Sequence, residues 1–564
     1  MQHNNIVPTT VGVEANLTFG QPEQFAGWEY QPTLPLTDLA CYPQFLKRIE
    51  SVAETTWAAN PSFERRPYQC EAAALYCCRR QNICAGSQGV GKTLIVGFCI
   101  AGLYPDIAKR RRGLVQIVAP SLLSAHSRWA VDLQRIPHLR GLVQVIAKKK
   151  DWEQATAPIW VYHQDLLTIK ADKNRRRPWL AQDIGRRTPP ALLVVDEVHH
   201  FKPDNQRTKA LFYLRSRSRR CLALSGTLTD VRLDLIHHTC KLVYQKHWCY
   251  GSDREFRQAL GCKEAIRSRA PLQEETEPTP PKRYLDFISL SRLGDYFQLL
   301  NRYVHRLSLD QPKVRRYCRL PERVDKTHVL SPSVAQVSQH RQLLQQQQEW
   351  VEQLVKYGSN GHIFSLFQPL LQLCWLPPEQ EKSAKVEQLL EIVQASERVG
   401  IFVSTVEVSR WLTELLRGEF PGRVVRLYAH DPEAHPTHLK PEQRQQILEQ
   451  LLFDPHIKVG VLSLNLSAES IDLTSLSDVV FWSLNWSSLQ VSQALARAIR
   501  PGSPYQSVRV HWLYHTGLLD EHQVKLLLEK LRASRRLLDY DPYLTTKDEW
   551  QAKEILRELT GELA

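Results

Sequence analysis

Gly86-Ser87-Gln88-Gly89-Val90-Gly91-Lys92-Thr93 fills the pattern G-x-x-x-x-G-K-T. Glycines at these positions let the backbone curl until several N–H groups point inward at phosphate oxygens. An apolar helical run, 94–100, follows directly and presents its positive end to the same anion. Gly86, Gly89, Val90 and Gly91 are therefore expected to line a phosphate cradle. Lys92 is expected on the β and γ phosphates of ATP, and Thr93 on its Mg2+.

A second constellation is Leu192-Leu193-Val194-Val195-Asp196-Glu197-Val198-His199-His200. An apolar strand delivers two carboxylates to its end. Asp196 is expected to hold Mg2+, mostly through water, and Glu197 to polarise the attacking water. Two acids are useful because fixing a metal and handling a proton are separate tasks. The paired histidines lack acidic or cysteine partners at zinc-site spacing. His199 is better read as a link to the turn Ser225-Gly226-Thr227. Upstream, Arg66-Pro67-Tyr68-Gln69 precedes the phosphate loop, and the Gln69 amide can both donate to and accept from an adenine edge.

These groups need a scaffold, and the chain shows one. Apolar, β-rich runs at 114–119, 158–162, 191–195 and 221–224 alternate with helical stretches. A second series has strand candidates at 399–403, 424–428, 458–462, 478–482 and 508–514, with helices notably at 384–395 and 441–453. That pattern predicts an α/β protein with two parallel-sheet lobes. The expected boundaries are an N-terminal extension or cap over 1–60, a first lobe over 61–270, a linker and helical insertion over 271–379, and a second lobe with C-terminal helices over 380–564. Within the insertion, 271–283 reads as an irregular connection and about 291–357 as strongly helical.

The chain has 564 residues, which exceeds one usual hydrophobic core, and a formal charge of +14. Excess positive charge favours a polyanionic partner through long-range attraction and counterion release. Lys109–Arg112, Lys148–Lys150, Arg175–Arg177, and Arg215, Arg217, Arg219 and Arg220 are the basic clusters able to line a track. Twelve cysteines lack a paired C-x-x-C framework, so free, mostly buried thiols are expected rather than zinc or disulfides. No segment approaches the roughly 20 apolar residues of a membrane span, and a cytoplasmic location is expected.

In order and spacing, RPYQ, GSQGVGKT, DEVHH and SGT resemble the superfamily 2 helicases and translocases, specifically the SNF2-like (Swi2/Snf2) ATPases. The resemblance includes Ala119-Pro120-Ser121-Leu122-Leu123 with Trp129 downstream, and Tyr162 in VYHQDLL. It continues through Ser383-Ala384-Lys385-Val386, the strand at 398–404, LSLNLSAESIDLT at 462–474, Asn485-Trp486 and Gln493-Ala494-Leu495-Ala496-Arg497-Ala498-Ile499-Arg500. The family pattern for the last is Q-x-x-G-R-A-x-R. At 467–472 this chain departs from A-G-G-x-G-L-N-L: Ser467, Ala468 and Ser470 stand at glycine positions and Asp472 replaces Asn.

The resemblance implies two RecA-like lobes with a helical insertion, ATP and Mg2+ as ligands, and Arg66, Tyr68 and Gln69 beside the nucleotide. It implies that Ser121, Trp129, Tyr162, Ser463 and Trp486 face nucleic acid. Arg497 and Arg500 are implied as arginine fingers, three apart on one helical face with Gln493. Such a finger is worth roughly 10^3 to 10^5 in rate. The implied activity is DNA-dependent ATP hydrolysis driving a duplex translocase or remodeller of protein–DNA complexes; RNA stays open as the nucleic acid. The alternatives are a strand-separating DNA or RNA helicase, and a catalytically weak regulatory or scaffold subunit. A protein partner is expected through 1–60 or 291–375.

Overall fold

The computed structural model describes residues 40–107, 114–120, 125–169, 180–203, 205–226, 233–260, 264–266, 283–285, 299–300, 302–309, 311–346, 360–376, 383–428, 441–464 and 472–538. Ser121, Thr227, the 467–470 stretch, most of 1–60 and the clusters 109–112 and 175–177 lie outside these residues. The chain divides into two compact units. Residues to Cys262 and Ile288–Arg319 belong to the first, and Leu320–Ala533 belong to the second.

The first unit is built on a seven-stranded parallel sheet. Its strands are β1 (Gln81–Gly86), β2 (Val115–Ala119), β3 (Val143–Ile146), β4 (Ile159–His163), β5 (Leu192–Val195), β6 (Arg220–Ser225) and β9 (Val304–Leu307). Between β6 and β9 in sequence, β7 (Glu264–Ile266) and β8 (Arg283–Leu285) form a separate antiparallel pair. The sheet order is β3-β4-β2-β5-β6-β1-β9. The central strands are largely apolar because helices cover both faces of such a sheet. β2 (VQIVA) and β5 (LLVV) are buried at every position.

Four helices matter for the site: α1 (Tyr42–Ala59), α2 (Pro67–Cys78), α3 (Lys92–Ile107) and α4 (Ala125–Gln134). Ile49, Val52, Ala53 and Trp57 of α1 join the core of this unit, and the Trp57 ring meets Phe98 of α3 edge-on at 6.3 Å. The described end of the 1–60 segment is thus part of the first unit's core rather than an added cap. The reason is its own apolar face, which needs burial.

The second unit has a six-stranded parallel sheet of order β10-β15-β14-β11-β13-β12. The strands are β10 (Glu322–Leu330), β11 (Val399–Val403), β12 (Val424–Leu427), β13 (Val459–Ser463), β14 (Asp478–Phe481) and β15 (Ser507–His515). The helices Ala384–Ala395 and Pro441–Phe453 fall where the pattern places them.

The expected helical insertion is corrected by the structure. β9 and β10 lie inside 271–379, and the described helices there are interrupted: Pro312–Arg315, Val334–Gln346 and Asn360–Trp375. β9 escapes a hydrophobic reading because two of its four residues are polar. His305 Nδ1 bonds Tyr76 Oη at 2.8 Å, and Arg306 Nη1 donates to Ala85 O at 2.9 Å. β10 escapes it because it is an edge strand, ERVDKTHVL, with mostly exposed side chains.

Two buried polar networks lock the second sheet. Lys385, from the SAKV element, is 1% exposed and its Nζ lies 3.2 Å from Asp520 Oδ2. His515 Nδ1 bonds the same oxygen at 3.0 Å, and Lys385 Nζ sits 5.3 Å from the centre of the Trp482 ring. Cys374, His515 and Asp520 stand close enough together to share an ion. The Lys385 ammonium already supplies the compensating cation, so the cluster reads as structural.

In the other network, Asp478 is fully buried at the head of β14. It accepts from Arg509 Nε at 2.6 Å, Arg509 Nη2 at 2.8 Å and Ser477 Oγ at 2.7 Å, and pairs with His511 Nε2 at 2.9 Å. Burial pushes its pKa up, but hydrogen bonds from His511, Arg509 and Ser477 outweigh that and hold it well below the usual carboxylate range. A carboxylate with a lowered folded pKa stabilises fully above its unfolded value, about 3.9, and loses that contribution as pH falls through the folded value. The thermal midpoint of Asp478→Asn is therefore expected to lie below wild type at pH 7, with the gap closing as both are titrated from about pH 5 toward pH 3. A gap that stays constant over that range would remove Asp478 as its source.

Candidate nucleotide-binding site

The phosphate loop joins β1 to α3. Gly89 and Gly91 have φ of 90° and 81°, the left-handed backbone that glycine adopts without a Cβ penalty. A side chain at Gly91 would also collide with the Gln69 amide, and one at Gly86 would crowd Lys92 and Val90 at 3.2 Å. Lys92 Nζ donates to Gly86 O at 2.9 Å, so the cation is folded back over the mouth of its own loop.

Three side chains from the RPYQ element grip the loop's carbonyls. Arg66 Nη1 donates to Gly89 O at 3.2 Å, Tyr68 Oη to Val90 O at 2.9 Å and Gln69 Nε2 to Val90 O at 3.0 Å. Because a carbonyl only accepts, the last bond fixes which way the Gln69 amide points. Its Oε1 is buried with no hydrogen-bond partner among the described residues. The sequence reading gave Gln69 a base edge. The structure shows the donor half spent on the loop and the acceptor half unpartnered among the described residues.

A further brace comes from the segment after β9, which motif reading did not find. Ser87 N donates to Leu307 O at 2.8 Å, and Cys318 Sγ lies 3.1 Å from Tyr68 Oη.

β5 brings the carboxylates alongside, with β6 between it and β1. In register, Val195 faces Ala223 and Ala85 faces Ser225, so the three parallel strands end at the same side of the sheet, β5 two residues short of β6. Glu197 has φ 45°, a strained conformation for a residue with a side chain that costs about 1–3 kcal/mol. Strain of this kind concentrates at functional sites.

Asp196 Oδ1 accepts from Glu197 N at 3.0 Å, and Oδ2 accepts from the indole Nε1 of Trp129 at 2.9 Å. Burial, with the nearby Glu197 charge second, pushes the Asp196 pKa up to about 6. A cation would relieve that buried negative charge, and the donors present, the Asp196 carboxylate and the Thr93 hydroxyl, are the hard oxygens that Mg2+ prefers. The residues therefore fit Mg2+.

His199 is expected to link this site to Ser225, and it does: Nδ1 and Ser225 Oγ are 2.9 Å apart, with Glu197 Oε2 3.3 Å from the same nitrogen. Burial pushes the His199 pKa down to about 4, so the ring is neutral at pH 7 and lies beside Glu197 without cancelling its charge.

In the second unit, Gln493 and Arg497 lie on the helix Ser488–Ala498, with Gln493 buried. Arg500 does not share that helical face, contrary to expectation. The helix ends at Ala498, and Pro501 disfavours helical backbone in the residue before it. Leu473 N bonds Arg497 O at 3.1 Å, tying the end of the LSAESIDLT stretch to the arginine segment.

Residues 381–502 match the helicase conserved C-terminal domain. The mouse DNA annealing helicase and endonuclease ZRANB3 is 24% identical over 509 residues, covering 88% of this chain and 42% of that protein. The Arabidopsis SNF2 domain-containing protein CLASSY 2 is 27% identical over 206 residues, 35% of this chain and 16% of that one. The chain is similar to SNF2-like superfamily 2 proteins. It spans less than half the length of these curated relatives. The Sulfolobus solfataricus SWI2/SNF2 ATPase core in complex with dsDNA covers 88% of this chain and 96% of its own, at 18% identity and a TM-score of 0.35, too low to add to the strand order itself.

The SNF2-like resemblance implies five residues facing nucleic acid, and the structure corrects several. Trp129 is 5% exposed and spends its N–H on Asp196. Tyr162 is 1% exposed, its Oη donating to Gln116 Oε1 at 3.0 Å. Both are large amphipathic side chains whose polar atom found an internal partner. Ser463 ends β13 and is buried beside Tyr428. Trp486 is half-buried, its ring 5.5 Å from that of Phe367.

Two arginines of the basic clusters spend their guanidinium groups on backbone carbonyls. Arg215 caps Val243 O through Nε at 2.9 Å and Nη2 at 2.7 Å, while Arg220 holds Cys77 O at 2.7 Å. Among the described residues no helix is long and apolar enough to cross a membrane.

Proposed function

We propose that the chain is a DNA-dependent ATPase acting as a double-stranded DNA translocase or a remodeller of protein–DNA complexes. The observation that carries this is one sheet end presenting a phosphate loop with its lysine and, one strand away, a metal-type carboxylate beside a second acid in strained backbone. Gln69 Oε1 receives the adenine amino group. Lys92 exchanges Gly86 O for phosphate oxygens when ATP enters. Asp196 and Thr93 hold Mg2+, which neutralises charge on the β and γ phosphates when bound. Glu197, beside His199, orients the water that attacks the γ phosphate. Arg497 and Arg500 stand at the positions where the resemblance implies arginine fingers.

Support for DNA comes from the +14 charge and from the relatives' names, which speak of DNA annealing and of an SNF2 domain. Contact with the phosphate backbone needs no sequence-reading motif. With roughly six phosphate contacts, affinity falls steeply with salt.

The test is phosphate release in the presence of duplex DNA, single-stranded DNA and RNA. Stimulation by duplex DNA is expected. Arg497→Ala and Arg500→Ala are each expected to lower kcat by about 10^3 or more while nucleotide affinity stays near wild type. Absence of hydrolysis with all three nucleic acids would favour a regulatory subunit. Efficient displacement of one strand at a DNA fork would favour a strand-separating helicase.

A further inference from the structure

We propose that Trp129 is a positioning residue for the metal site: its indole N–H fixes Asp196 Oδ2, holding the carboxylate in place to receive the divalent cation that accompanies the nucleotide. The proposal rests on the ATPase reading above. It departs from the resemblance, which implies that Trp129 faces nucleic acid.

Three observations carry it. The bond is direct, Nε1 to Oδ2 at 2.9 Å, between α4 and the end of β5, and the donor is 5% exposed. The other carboxylate oxygen is held by a different donor, Glu197 N at 3.0 Å, and the Asp196 backbone N is bonded to Val118 O of β2 at 2.9 Å. Two donors on two oxygens fix the rotation of the carboxylate plane, while each oxygen keeps a lone pair for a metal or its water. Finally, Lys92 is an electrostatic neighbour of Asp196, and its Nζ rests on Gly86 O.

A carboxylate free to turn would be drawn toward that ammonium. The two groups needed by the phosphates and the metal would then neutralise each other. An indole suits the task because it donates one hydrogen bond, accepts none and carries no charge. It orients the acid without competing for the cation.

The experiment compares wild type with Trp129→Phe, which keeps an aromatic ring and loses the donor. Binding of a fluorescent ATP analogue is titrated in EDTA and then with Mg2+. Mn2+ occupancy is read by electron paramagnetic resonance in the presence of ADP. Metal-free nucleotide affinity is expected to stay within about twofold of wild type, and the half-saturating metal concentration to rise about tenfold, as for other residues that orient a metal ligand. Duplex DNA affinity without nucleotide is expected to be unchanged.

If Trp129→Phe does not fold, benzothienylalanine at position 129 supplies the same two-ring shape with sulfur in place of N–H. Unchanged metal half-saturation, an equal loss of metal-free and metal-loaded nucleotide binding, or a selective loss of DNA binding would each overturn the proposal. Wild-type protein whose nucleotide binding ignores Mg2+ would instead overturn the ATPase reading beneath it.

Discussion

Lys92→Ala is expected to lower DNA-stimulated kcat/KM by about 10^2 to 10^3 or more and to weaken ATP binding as well. The effect is large because this ammonium faces charge that is present in bound ATP and grows during transfer. It is local because Lys92 Nζ is bonded to Gly86 O, a carbonyl of its own loop, so the shortened side chain takes little packing with it. Phosphate release and a nucleotide titration on the same preparation measure both terms. Wild-type turnover by the purified variant would refute the assignment of the loop.

Glu197→Gln should separate binding from chemistry. The amide has the carboxylate's shape and can stay near His199 Nδ1, 3.3 Å from Oε2, but it cannot accept a proton from the attacking water. A fall in kcat of about 10^2 to 10^4 is expected, with ATP affinity within a few-fold of wild type. Single-turnover hydrolysis together with equilibrium nucleotide binding distinguishes the two quantities. A Glu197→Gln protein that turns over normally would move the base elsewhere. Equal losses in binding and rate would make Glu197 a structural residue of the β5 exit.

Much of this site was legible in the residues because its chemistry demands a contiguous pattern. The phosphate loop needs glycines and a lysine at fixed spacing, and Asp196 and Glu197 need a strand to carry them. The strands of both sheets were legible where burial on two faces makes the run wholly apolar, as at Val399–Val403, which matches its expected bounds residue for residue. What escaped depends on pairs far apart in the chain. Nothing near Trp129 announces a carboxylate 67 positions on, and nothing near Arg215 announces Val243 O. β9 was hidden because its polar residues are satisfied by Tyr76 and Ala85, more than 200 positions earlier. The three-residue spacing of Arg497 and Arg500 does not define one helical face, because the helix ends at Ala498, ahead of Pro501.

The bond from Ser87 N to Leu307 O, and β9 beside β1, bear on how the protein is made. A ribosome delivers β1 and its loop more than 200 residues before the strand that covers β1's outer side. During that interval β1 is an open edge, the kind of surface on which chains pair wrongly. A fragment cut near residue 262, where the first run of the unit ends, would keep that open edge permanently, and its phosphate loop would lack the Leu307 carbonyl and the Cys318–Tyr68 contact. A fragment that keeps this edge covered and the loop braced is therefore expected to extend to about residue 319.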